Sequence, residues 1–390
     1  MLDENAIEKL IQPVIVRQEA LNTYILYEVA TKIRDIGSLS SDDIDTITIL
    51  LACGLHIREL DREIARVAKL QTKNVKTILK TVALDTYKDS KPLYKYRRKE
   101  FIPFNKHTKV QMILKSANKN VNTLFSSLKS VGFVIRDLKY PKKLKYQSFD
   151  TAYKSIINEA IRASKDQKID YAVAMHKTAK QLVDSGLRTP LSENYIPRID
   201  AILRQYLLNS IRDVTQEMED MISDEVYADG KEISTHANSA PDHEPFQGHQ
   251  FTNEEFEKLQ SARTFKDVNG QTFFAVERAI GQYNCRHITF PIIVGVTEPR
   301  YTLEQLDKFI QKNRAGYTLS NGKHLTMYEC TQHQRQLENR IRHAKDEQMM
   351  FQEFGDLLSA KKAKQKVIRL TNDYKIFSKS CGLDIRKDRI

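Results

Sequence analysis

Three histidines, His236, His243 and His249, fall in one irregular stretch, HANSAPDHEPFQGH, and Asn284-Cys285-Arg286-His287 follows further along the chain. If Cys285 and His287 are extended, a spacing of two places both side chains on one face of a strand. A loop bearing His236 and His243 can close over that face. A thiolate with imidazoles is a borderline-soft donor set suited to tetrahedral zinc. An ion there would also give a loop-rich region the cross-link that its small core lacks. The candidate ligands are therefore His236, His243, Cys285 and His287, with a structural zinc as the cofactor. A second reading stands beside this one: a buried polar cluster, with the histidines bonded to backbone carbonyls or to Asp242 and Cys285 as a small core residue. Cys-x-His is no zinc signature by itself, and no C-x-x-C or H-x-x-x-H accompanies it, so the bare spacing favours the polar cluster. A catalytic variant takes His243 as a base oriented by Asp242 beside a metal. The loop does not spell out the ligand triad plus general base of a hydrolase, and no catalytic residue is assigned. Walker A, Rossmann glycine and G-x-S-x-G patterns are absent from the sequence.

The charge is concentrated. The chain has 390 residues, 62 Lys plus Arg against 50 Asp plus Glu, and a formal charge of +12. Residues 91–146 hold 15 basic and 2 acidic side chains, enough to account for the whole excess. Such a stretch attracts phosphate polymers by releasing counterions. Tyr94, Tyr96, Phe101, Phe104, Tyr140 and Tyr146 are interleaved with the cations, and their rings can stack on bases or pack on a neighbour. Arg97, Arg98, Lys99, Lys142 and Lys143 are the candidate nucleic-acid-binding residues. A solvated, lysine-rich surface explains the same composition equally well. Four scattered cysteines and an acidic, polar start lead to the expectation of synthesis in a reducing cytoplasm without a secretory signal. Apolar runs are too short to span a bilayer, so no membrane partner is expected.

Around these residues the periodicity predicts an α+β chain that is predominantly helical. Residues 1–90 read as a helical N-terminal domain, with helices over 14–36, from Ser41 to about Cys53, 59–69 and 73–87. Stops are expected at Gly37, at Gly54 and at Leu70–Thr72. The pair 59–69 and 73–87 has a helix-turn-helix look, with Lys73, Lys76 and Lys80 on the second helix. Residues 91–149 read as a basic arm or linker broken by Pro92, Pro103 and Pro141, with one helix over 109–131. Residues 150–330 form the next domain: two helices to Leu187, a long amphipathic helix over 198–223, then a small mixed α/β region over 231–300. Within it Thr252-x-x-Glu255 is a capping box, Asn269-Gly270 is a hairpin turn, and 286–296 is strand-like. Thr302-x-x-Gln305 is a second capping box. Residues 331–390 form a C-terminal helical segment, two helices broken near Gly355.

The stretches EISTHANSAPDHEPFQGHQFTNEEFEKLQ and AIGQYNCRHITFPIIVGVTEPRYT resemble the phage minor capsid protein 2 family, related to Mu F-type head morphogenesis proteins. VRQEALNTYILYEVATKIRDIG, PRIDAILRQYLLNSIRDVTQE and YECTQHQRQLENRIR extend the resemblance over most of the chain. The family pattern falls on His236, Pro241, Asp242, His243, Gln247 and Gly248, on Asn284, Cys285 and His287, and on Arg198, Asp200 and Arg204. The resemblance implies a Mu F-like core and a non-enzymatic structural protein of a tailed-phage head. It implies a place inside the head at the portal vertex, after assembly in the host cytoplasm. Its partners would be the portal protein, other capsid proteins and packaged double-stranded DNA, held non-specifically, with a role in morphogenesis, packaging or ejection. Two alternatives remain: a metal-dependent enzyme acting on nucleic acid through His243, Cys285 and His287, and a helix-turn-helix regulator using residues 59–87.

Overall fold

The computed structural model describes residues 4–38, 46–127, 131–136, 144–165, 171–192, 195–236, 238–240, 242–261, 264–266, 272–274, 279–281, 285 and 287–390. Within them the chain is predominantly helical with small antiparallel sheets, the α+β class expected. The helices are α1 (Glu4–Gly37), α2 (Thr46–Asp89), α3 (Lys91–Tyr96), α4 (Thr108–Ser127), α5 (Phe149–Lys165), α6 (Tyr171–Ser185), α7 (Ile199–Val226), α8 (Asn253–Ser261), α9 (Leu303–Ala315), α10 (Met327–Glu353) and α11 (Leu357–Ser380). The strands are β1 (Gly132–Arg136), β2 (Leu144–Ser148), β3 (Gly230–Ile233), β4 (Gln250–Thr252), β5 (Thr264–Lys266), β6 (Thr272–Phe274), β7 (Thr289–Ile292), β8 (Tyr317–Thr318) and β9 (His324–Leu325). No helix of the described residues is long and apolar enough to cross a membrane.

Two compact units emerge, each from three separated segments. One comprises Met1–Gln12, Asn74–Val121 and Gln205–His333; the other Pro13–Lys73, Asn122–Arg204 and Gln334–Ile390.

In the first unit β3 is the central strand of the sheet β4-β3-β7, antiparallel to both neighbours. Gly230 begins it because a Cβ there would lie 2.5 Å from the Phe251 carbonyl oxygen. Ile233, Phe246, Phe251, Phe256, Leu259 and Ile280 form the core beside it. Both expected capping boxes are present. Thr252 Oγ1 accepts the Glu255 amide while Glu255 accepts the Thr252 amide, and Thr302 and Gln305 exchange the same pair. β5 and β6 pair antiparallel as the hairpin reading required; Asn269 and Gly270 lie outside the described residues.

In the second unit the antiparallel pair β1-β2 carries Gly132, where a Cβ would sit 2.1 Å from the Gln147 carbonyl oxygen. Asn22 accepts the Leu187 amide at 2.9 Å, and Thr23 donates to Asp346 at 2.9 Å. The break near Gly355 separates α10 from α11, with Gly355 at φ +76°.

Several expectations are corrected. α1 begins at Glu4 and holds Pro13 inside it, earlier than the start expected at residue 14. α2 runs unbroken through Gly54 and through Leu70–Thr72. Its buried positions, Ile57, Leu60, Ile64, Val67, Gln71, Val75 and Ile78, keep helical phase across the supposed turn. Gln71 is itself buried and donates to the Val14 carbonyl at 3.3 Å. A helix-turn-helix therefore has no turn here, and the regulator reading loses its motif.

Residues 91–127 hold more regular structure than the one helix expected over 109–131, which corresponds to α4. α3 and a 3-10 turn at Phe104–Lys106 meet at an aromatic group in which Tyr87 stacks on Phe101 with centroids 4.5 Å apart and stands edge-on to Tyr94 and His107. Tyr94 donates to Glu225 at 2.6 Å, and His107 and Lys109 reach the same carboxylate at 3.1 and 3.2 Å. The strand expected over 286–296 is confined to Thr289–Ile292, because a turn follows in which the Val296 amide bonds to Ile293 and Gly295 adopts φ +74°.

Candidate functional site

The site is built where a loop closes on the segment leading into β7. Gly248 returns the loop to β3: its amide donates to the Ile233 carbonyl at 2.8 Å, and the Ile233 amide donates to the His249 carbonyl at 3.1 Å. Gly248 has φ +75°, and a Cβ there would lie 2.3 Å from Leu306 Cδ2. Only glycine occupies that position without strain. Inside the loop Phe246 is buried in the core, and Gln247 accepts the His236 amide at 3.0 Å. Glu244 is held by Asn313 at 2.7 Å and Arg314 at 3.1 Å, both on α9.

The facing segment is fastened from two sides. The Ser234 amide donates to the Ile288 carbonyl at 2.9 Å, and the Ile288 amide donates to Ser234 Oγ at 3.1 Å. From α7, Arg212 donates to the Cys285 carbonyl at 3.2 Å. Gln216 takes the Thr289 amide at 3.0 Å and donates to its hydroxyl at 2.9 Å.

Between these anchors Cys285 Sγ lies 3.3 Å from His243 Nδ1 and 3.5 Å from His287 Nδ1. The three residues are 1% (His243), 3% (Cys285) and 4% (His287) exposed. The other nitrogen of His243, Nε2, faces the Asp242 carboxylate at 3.6 Å. The His236 ring stands edge-on to His287, with centroids 4.5 Å apart. Burial pushes the Cys285 thiol up, but the hydrogen bond with His243, backbone bonds at Gly281 and His287, and the His243 charge together hold it below the ordinary thiol value.

Three of the four residues expected as ligands thus converge, with donor atoms within 4.8 Å of one another. His236 packs beside them. Asp184, His343 and Glu347 are a second such group, in the other unit. That group already has a cation, since Lys366 Nζ lies 2.9 Å from Glu347.

These bonds describe a fastened module without saying where it works. The sequence profile of the family described as phage minor capsid protein 2 matches residues 2–377. The chain belongs to the phage minor capsid protein 2 family. No curated protein and no solved structure matches it. The family match makes it a structural protein of a phage head, present in the virion among other head proteins.

In this minor capsid protein the two loop motifs are the two sides of one site. Asp242, His243, Gln247 and Gly248 come from one, and Cys285 and His287 from the other. Pro241 and Asn284 lie outside the described residues. Arg198, Asp200 and Arg204 belong to the other unit, where Arg198 Nε reaches Asp200 at 3.2 Å.

The basic residues singled out are placed as follows. Arg97 donates to the Tyr227 carbonyl at 3.0 Å and lies 3.5 Å from Asp229, while Lys99 sits 4.3 Å over the Tyr227 ring. Arg98 is exposed at φ +51°. Lys142 and Lys143 lie outside the described residues.

Gln216, Glu244 and Asn313 could not be singled out from the sequence. Each bonds across a long sequence separation, and a lone polar residue, on a helix for Gln216 and Asn313 or in a loop for Glu244, carries no mark of that.

Proposed function

We propose that this protein is a non-enzymatic head component at the portal vertex, inside the capsid, where it contacts packaged double-stranded DNA without reading its sequence. The match over residues 2–377 is the observation that carries the head role. The net charge of +12 supports the DNA contact, because attraction to phosphates needs only exposed cations. In the first unit Lys91, Lys95, Arg98, Lys106, Lys115 and Lys119 are exposed. Burial of His243, Cys285 and His287 favours a fastening role over substrate turnover, since a reacting group must reach its substrate.

The portal protein is the proposed partner at the vertex, and the role is in head morphogenesis or in genome packaging and ejection. Imaging of assembled particles tests this. Density for the protein on the head side of the portal ring is the expected result. Particles that package normally and lack the protein would remove the assignment. Binding of the purified protein to DNA of unrelated sequences should be equal, and should collapse as salt rises.

A further inference from the structure

We infer that His243, Cys285 and His287 bind a zinc ion through Nδ1, Sγ and Nδ1, and that this ion locks the His236–Gly248 loop to the segment entering β7. A tetrahedral zinc with bonds of about 2.1 Å to nitrogen and about 2.3 Å to sulfur sets neighbouring N and S atoms about 3.5 Å apart. Cys285 Sγ stands 3.3 and 3.5 Å from the two imidazole nitrogens. Both rings turn the same kind of atom, Nδ1, toward the one sulfur.

A ligating histidine commonly presents its remaining N–H to a carboxylate, which fixes the ring and raises its basicity. His243 directs Nε2 at Asp242, at 3.6 Å, on the side away from the sulfur. The orientation is that of a carboxylate–histidine–metal relay, with Asp242 outside the ligand set.

The surroundings of the three side chains are fastened. The backbone of Cys285 is held by Arg212, that of Ile288 by Ser234 and that of Thr289 by Gln216. On the loop side Glu244 and Gln247 are each tied down. A site whose ligands are fixed before the ion arrives loses little entropy on binding. Zinc replaces the thiol proton of Cys285, which passes to solvent, so uptake strengthens as pH rises. A water molecule or His236, whose ring lies beside His287, supplies the fourth ligand.

The test uses the full-length chain. Native protein is equilibrated with excess zinc, passed through a desalting column and assayed for metal; one ion per chain is expected. Cobalt(II) added to chelator-treated protein should give tetrahedral visible bands and a thiolate-to-metal charge-transfer band. That band should persist in Cys330→Ser and Cys381→Ser and vanish in Cys285→Ser. Asp242→Asn should keep the stoichiometry at saturating zinc and weaken affinity by about 10- to 100-fold.

Less than about a tenth of an ion per chain in the folded wild-type protein would overturn the inference, leaving a hydrogen-bonded Cys–His cluster. Zinc retained by folded Cys285→Ser would overturn it too, by placing the ion elsewhere. Should Cys285→Ser not fold, the cobalt spectrum of the wild type decides, and a spectrum without thiolate charge transfer counts against the site.

Discussion

Gln216 and Thr289 form a closed pair of hydrogen bonds: the glutamine carbonyl accepts the Thr289 amide at 3.0 Å, and its amide donates to the Thr289 hydroxyl at 2.9 Å. One side chain on α7 thereby sets the start of β7, and with it the height of Cys285 and His287. Thr289 is buried, so its amide has no ready substitute in water. Gln216→Leu should destabilise the fold by roughly 1–3 kcal/mol, the penalty for an abandoned buried polar group. Urea unfolding monitored by circular dichroism measures this. An unchanged midpoint would mean that the strand is held by its ladder alone.

Glu219, one helical turn from Gln216, predicts a pH dependence. It is buried; loss of solvent raises its carboxyl to about 8, with Arg300 opposing and Asp220 adding to the rise. A carboxyl whose folded value exceeds its unfolded value stabilises the fold in its protonated form. That contribution is complete below the ordinary value of 4.5 and is lost as pH climbs through about 8. The melting temperature should therefore fall between these limits, with the loss on the order of a few kcal/mol. Glu219→Gln should flatten that decline. A parallel decline in wild type and variant would show that Glu219 titrates normally.

At Gly248 two costs coincide. The backbone is at φ +75°, and an added methyl would press on Leu306. Leu306 can yield at its tip, but the torsion cannot, so Gly248→Ala should cost about 1–3 kcal/mol. The loop should open locally, with faster hydrogen exchange at Ile233 and Phe246. Protection equal to wild type would contradict the requirement.

The legible parts of the fold were those whose signal is local. The Thr252 and Thr302 capping boxes, the pairing around Asn269-Gly270 and the break at Gly355 each follow from a few adjacent residues. α2 was not legible at Gly54 and Leu70–Thr72, because a buried stripe in continuous helical phase outweighs an isolated glycine or polar triplet. In the site, the spacing of Cys285 and His287 suggested that their side chains share a face, and the structure sets Cys285 Sγ 3.5 Å from His287 Nδ1 and 3.3 Å from His243 Nδ1. His236 could not be separated from His243 by spacing alone; the structure sets His243 against the Cys285 sulfur and the His236 ring against His287. In the basic stretch, Pro92, Pro103 and Pro141 suggested an arm or linker, and the structure adds ring contacts among Tyr87, Tyr94 and Phe101 that spacing does not specify.

The second unit carries a cationic face with a sharper prediction for DNA binding. On α11 Lys361, Lys362, Lys364, Arg369, Lys375 and Lys379 are exposed, against one exposed carboxylate on the helix, Asp373. Ordinary solubility does not require so one-sided a face, and a phosphate backbone matches it. Replacing Lys361, Lys362, Lys364 and Arg369 with glutamine should weaken DNA binding for every sequence alike. The slope of log affinity against log salt should flatten by up to about 0.9 for each phosphate that the variant no longer neutralises. Arg98→Gln, measured beside it, reports on the first unit in the same way. If the α11 variant keeps its slope and Arg98→Gln flattens it by about one phosphate, the DNA lies on the first unit. If both keep it, the positive charge serves only to keep the protein in solution, and the proposed genome binding falls while the head assignment stands.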